Sequence, residues 1–200
     1  MAKPNWLKVS PSSGSGNASV AVSSTAEHTG RVARTGILTF KAANVSEIQR
    51  TVNQAGKPAY VDIDGTATAD KGGKRVTISG ESNSASLTFS LGVGTLIIDP
   101  PLTYTANSVV TANGMPISGD PGAKASYAFS IVIDVPANES IESKTRQIIV
   151  QDESGNRDIC LLTSAAGDAY VLIAEGDIEL DFLGTPVTVA VESNTTWSIE

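Results

Sequence analysis

One cysteine and one histidine in 200 residues remove whole classes of chemistry. Cys160 has no internal disulfide partner, and it lies in the apolar run Ile159-Cys160-Leu161-Leu162, the setting of a buried structural thiol. His28, in Ala26-Glu27-His28-Thr29-Gly30-Arg31, has no second histidine or nearby cysteine, so no transition-metal cluster is indicated and the residue reads as a solvated turn. No Gly-x-Ser-x-Gly elbow is present, and a Ser-His-Asp triad has no support. Acids such as Glu81, Asp99, Asp134 and Glu192 show no spacing that would pair two carboxylates for glycoside hydrolysis. Asp62-Ile63-Asp64-Gly65 with Asp70 matches a calcium loop only in part, lacking the third early acid and the terminal Glu, and alternation places both aspartates on one exposed strand face. The expectation is a non-enzyme without catalytic residue, metal or cofactor.

Basic residues are also few. Fourteen Lys and Arg, scattered among twenty-one acids, leave a net charge of −7, which repels phosphate backbones and anionic lipid. Neither nucleic acid nor membrane is therefore expected as a partner. Long apolar runs are missing too: the start, MAKPNWLKVS, lacks the continuous run of a secretory signal, and the chain is expected to stay in the cytoplasm that made it.

What the sequence does have is alternation. At 40% apolar content a packed core is within reach, and Val and Ile alternate with Thr and Ser between clusters of Gly, Pro, Asn and Asp spaced as in a β-sandwich. Strands are expected at 7–10, 18–23, 36–41, 48–54, 75–80, 85–90, 95–99, 126–135, 145–151, 159–163, 179–182 and 187–191. The fold class is all-β, of the β-sandwich kind.

The pattern repeats. VTISGESNSASL from Val76 returns as VTVAVESNTTWSIE from Val187, and AGKPAYV from Ala55 returns as AGDAYV from Ala166, both at an offset of 111 residues. Arg34 and Arg146 stand at 112. The chain thus holds about one and a half copies of a unit. Leu7-Lys8-Val9-Ser10-Pro11 resembles Leu96-Ile97-Ile98-Asp99-Pro100 at an offset of only 89, which leaves a 22-residue insertion in the second copy, residues 101–122. That insertion is read as a long loop serving as a contact arm, with Tyr104, Asn113, Met115 and Ile117 as its candidate contacts.

The stretch Trp6-Leu7-Lys8-Val9-Ser10-Pro11-Ser12-Ser13-Gly14-Ser15-Gly16-Asn17, then an alternating strand, Arg34, another strand and Val52-Asn53-Gln54-Ala55-Gly56, resembles the BACON domain. The resemblance implies an immunoglobulin-like sandwich of a kind found in proteins of gut Bacteroidota and their tailed phages, with carbohydrate or mucin binding proposed for some members. The second copy departs from it, having Thr95 near the place of the tryptophan and Thr163-Ser164-Ala165-Ala166-Gly167 at its end.

Three segments are expected: 1–56, a BACON-like sandwich lacking its first hairpin; 57–167, a second sandwich carrying the insertion; and 168–200, a strand pair. The pair completes an N-terminal-type domain, of its own or of a neighbouring chain, or begins a further repeat. Leu180, Phe182, Val187, Val189, Val191 and Trp197 are its candidate assembly residues. The expected function is a structural virion protein of a tailed phage that decorates the capsid or anchors a head fibre, with other virion proteins or copies of itself as partners. The alternative is a glycan-binding adhesion module. For that, Trp6 is the candidate contact, although core packing competes for both tryptophans.

Overall fold

The computed structural model describes residues 3–173 and 176–200. In the N-terminal segment β1 (Leu7–Ser10) pairs antiparallel with β2 (Ala21–Ser24), placing Leu7 opposite Ser24 and Val9 opposite Val22. β3 (Arg34–Ala42) and β4 (Val45–Gln54) form a long hairpin. Its two-residue turn has Asn44 at φ 62, a conformation asparagine tolerates better than most residues.

The middle segment folds β5 (Val61–Ile63), β6 (Thr66–Ala69), β7 (Lys74–Ser82), β8 (Leu87–Gly94), β9 (Thr103–Ala106), β10 (Val109–Ala112), β11 (Tyr127–Val135), β12 (Lys144–Asp152) and β13 (Arg157–Ser164) into two sheets. Their strand orders are β10-β9-β11-β7-β5 and β6-β13-β12-β8. Alternation dictates the inner faces: on β11 Tyr127, Phe129, Ile131, Ile133 and Val135 are buried, and the residues between them are not. Opposite them lie Ile148 and Val150 of β12 and Cys160 and Leu162 of β13. Phe89 is the aromatic centre, 5.4 Å from the Tyr104 ring and 5.8 Å from Phe129. Finally β14 (Val171–Ile173) pairs with β15 (Val191–Ser193).

The protein is all-β and built of sandwich layers, and most expected strands form. Three expectations need correction. The insertion is not a free loop: β9 and β10 make a hairpin on the edge of the five-stranded sheet, turning at Asn107-Ser108 with both φ positive, the two-residue turn that matches strand twist. Residues 95–99 form no ladder; Leu96 is buried as alternation requires, held by its amide on the Thr145 carbonyl and by Arg146 Nε on its own carbonyl, 2.7 Å. Residues 179–182 and most of 187–191 also lie outside any strand, and no strand edge pairs with them among the described residues.

Candidate functional site

The polar residues buried deepest in this structure join one segment to the next. Asn83 is fully buried. Its Oδ1 accepts from the Tyr60 amide at 3.0 Å, and its Nδ2 donates to the carbonyls of Thr29 (3.1 Å), Lys57 and Pro58 (both 3.2 Å). Ser82 Oγ donates to the Tyr60 carbonyl at 2.7 Å. The second joint repeats the first: Asn194 Oδ1 accepts from the Tyr170 amide at 3.0 Å, its Nδ2 donates to the carbonyls of Glu139 and Asp168, and Ser193 Oγ donates to the Tyr170 carbonyl. Glu-Ser-Asn, identical at 81–83 and 192–194, is therefore the linking motif. Its signal in the sequence is its recurrence, not the chemistry of any single residue.

His28 corrects another expectation. It is buried rather than solvated, because its Nε2–H donates to the Val32 carbonyl at 2.7 Å, as Asn138 Nδ2 donates to Glu142 at 2.8 Å in the next repeat. Arg31 binds Asp120 through both terminal nitrogens, 2.6 and 2.5 Å, and also reaches the Asn83 carbonyl. That pairing holds the Asp120 carboxyl below its ordinary range. The Arg31 and Val32 amides donate to Gly122 and Ala123. The far end of the insertion thus ties the N-terminal segment to the middle sandwich.

Three of the four expected contact-loop residues serve the core instead. Tyr104 is buried, and its hydroxyl donates to the Met115 carbonyl at 3.0 Å and accepts from the Leu87 amide. Asn113 accepts from the Phe89 amide and donates to the Phe89 and Pro101 carbonyls, all within 2.9 Å. Ile117 is buried, and Met115 alone of the four is exposed. Trp6 is half-buried, with Arg34 4.5 Å above its ring, so one face of the indole is already covered. Cys160 is buried as expected, and burial pushes its thiol up to about 11.

Leu180, Phe182, Val187 and Trp197 are exposed, Phe182 at 95%; Val189 sits at the edge of exposure and Val191 is half-buried. Closure of this segment onto the chain's own N-terminal domain is not formed. That domain stays open: between β1–β2 and β3–β4 runs a groove of about 690 Å³ lined by Val9, Pro11, Val20, Leu38, Thr39 and Phe40, with Lys3 and Lys41 at its margin. Thr39 Oγ1 on its wall is buried without a hydrogen-bond partner among the described residues. Such a groove admits apolar side chains on an extended backbone, because unpaired strand edges supply main-chain donors and acceptors beside it.

Residues 1–55 match the model of the BACON family, described as "Putative binding domain, N-terminal", so this segment is similar to BACON domains. No curated protein matches the chain. Among solved structures, zebrafish RET cadherin-like domains 1 to 4 superpose with a TM-score of 0.34 at 9% identity, covering 84% of this chain and 42% of that one. The collagen binding domain of Erysipelothrix rhusiopathiae surface protein RspB gives 0.22 at 12% identity, covering 74% of this chain and 63% of that one. The chain therefore spans under two thirds of either structure, and neither superposition carries an argument about function.

Proposed function

We propose that the protein is a non-enzymatic structural component that binds through immunoglobulin-like modules and, in finer terms, a tailed-phage virion protein that decorates the capsid or anchors a head fibre. The observation that carries the binding reading is the open groove of the segment similar to BACON domains, lined by Val9, Val20, Leu38 and Phe40 together with Ser12, Ser13 and Thr39, and flanked by strand edges unpaired among the described residues. Elsewhere Asn83 and Asn138 hold backbone and Ser84 holds Asp152, buried polar groups that serve architecture. What supports the virion form is the resemblance of residues 6–17 and 52–56 to modules of phages and their hosts. Its partners are then other virion proteins or copies of itself, and its place is the particle assembled in the host cytoplasm. Glycan or mucin adhesion is the competing form, favoured by the family's description as a binding domain.

Purified chain, mixed with emptied phage capsids and separately applied to a glycan array, separates the two. Saturable capsid binding with a silent array supports the virion form. Binding to mucin-type glycans alone replaces it with adhesion, and silence in both refutes the capsid and glycan forms alike, leaving copies of the chain itself as the groove's partner.

A further inference from the structure

The middle sandwich shows what an N-terminal segment of this kind packs against. Its second half, 96–166, is the counterpart of 7–55, and its first half, 57–89, is the counterpart of 168–200. The correspondence is structural as well as sequential. The pairing of Val61 with Ser82 and Ile63 with Gly80 recurs as Val171 with Ser193 and Ile173 with Val191. The turn closed by Gly73 N–H on the Asp70 carbonyl (2.9 Å, φ 73) recurs as Gly184 on Asp181 (3.0 Å, φ 69). Both glycines adopt a backbone that L side chains rarely reach.

Burial is where the copies part. Val76 and Ile78 are 7% and 0% exposed, whereas their counterparts Val187 and Val189 are 51% and 36% exposed. Ala69 gives way to exposed Leu180, and Ile63 to exposed Ile173. In the middle sandwich these positions are covered by β11, β12 and β13, and nothing equivalent follows β15 among the described residues. The N-terminal segment shows the reverse deficit. Ile131 and Ile133 of β11 are buried beside β7, yet Val20 and Val22, which stand in the corresponding place before β3, are exposed, Val20 on the groove wall and Val22 on β2 opposite the groove residue Val9.

Charge agrees. Residues 1–56 carry six basic and two acidic side chains, and residues 168–200 carry seven acidic and no basic ones. The two halves carry opposite charge, as partners in a steered contact do.

We propose that residues 168–200 of one copy dock into the N-terminal groove of a second copy, pairing Val189 with Val20 and Val187 with Val22 as Ile78 pairs with Ile131 and Val76 with Ile133. The register follows by shifting both strands by 111 residues. The contact joins the tail of one copy to the head of the next, so it propagates into a ring or a filament. It deepens the binding reading of the groove and is independent of the virion form, which the capsid experiment tests separately.

Light scattering of the full chain over a range of concentrations tests it. The expected result is a mass that grows with concentration and falls back as salt screens the opposed charges. Val189→Asp sets an unpaired carboxylate in the seam and weakens association by about a hundredfold; Val22→Asp on the groove side does the same. Mixing these two variants restores association but stops it at dimers, since one intact groove and one intact tail remain. Copies carrying Val20→Cys and copies carrying Val189→Cys form a disulfide dimer on mixing under oxidising conditions. A chain monomeric at every concentration overturns the proposal. So does a mass indifferent to Val189→Asp, or a disulfide that forms only within one chain carrying both cysteines.

Discussion

Replacing Asn83 by alanine removes the joint's central side chain without changing the chain's path. Nδ2 has two hydrogens, so its contacts with Thr29, Lys57 and Pro58 amount to two hydrogen bonds shared among three carbonyls, and Oδ1 takes a third from Tyr60. Each bond is worth about 1 kcal/mol net, and leaving the Tyr60 amide buried without a partner adds about 1 kcal/mol or more, so the loss is roughly 3–4 kcal/mol. For a cooperative unit the size of the middle sandwich this lowers Tm by about 10–15 °C. The assay is thermal and denaturant unfolding of dilute full-length chain. Asn194→Ala is its internal control: the same side chain with the same bonds, but holding a segment whose apolar face is exposed. It is expected to move the main transition by less than about 0.5 kcal/mol while opening residues 168–200 to proteolysis. An Asn83→Ala protein within about 0.5 kcal/mol of the parent would refute the joint.

Tyr104→Phe deletes a hydroxyl that bonds Met115 and Leu87, and is expected to cost about 1–2 kcal/mol in denaturant unfolding; a contact arm would leave the midpoint unchanged. Asp120 titrates below its ordinary range because Arg31 donates to it, so its contribution is fully present above the unfolded carboxyl value near 4 and is lost as pH falls through the lowered one. Asp120→Asn mimics that loss at neutral pH; the carboxylate is partly exposed and screened, so hydrogen exchange at the Arg31 and Val32 amides should quicken only about two- to fivefold, and unchanged exchange would remove the bridge from the joint. Cys160, with burial pushing its thiol up to about 11, is expected to resist alkylation at neutral pH until denaturant is added; full labelling of the folded chain would show the core to be open.

Alternation made the strands legible, because a period of two is a local property that survives in any sheet with one buried face. It worked for 127–135, where every second residue enters the core. It failed where alternation and ladder part company. Leu96 is buried with no strand around it, and 179–182 alternates with no neighbour to pair. Pairing is a non-local property, and a single segment's pattern cannot supply its partner. The insertion departs from expectation for a related reason: the 111- and 89-residue offsets locate it, but the turn at Asn107-Ser108 sits between two short alternating runs whose pairing only the fold supplies, and that pairing carries Tyr104 into the core. The joint was hidden differently, since Ser82 and Asn83 look like ordinary turn residues until their partners, mostly main-chain carbonyls, are in place.

The two copies of the linking motif separate sequence from context. Tyr60 with Asn83 and Tyr170 with Asn194 make the same contacts, so the joint is encoded locally and forms whether or not a full sandwich follows it. Burial is not encoded that way. Val76 and Val187 are the same residue on equivalent stretches, yet one is core and the other surface, because β11 flanks and the β12–β13 sheet covers the first alone. Hydrophobic free energy scales with area removed from water, so the exposed copy keeps a driving force that the buried copy has already spent. A chain whose joints are settled before its cores are complete presents its next module in a fixed orientation. What then sits on that module decides where the β-sheets continue.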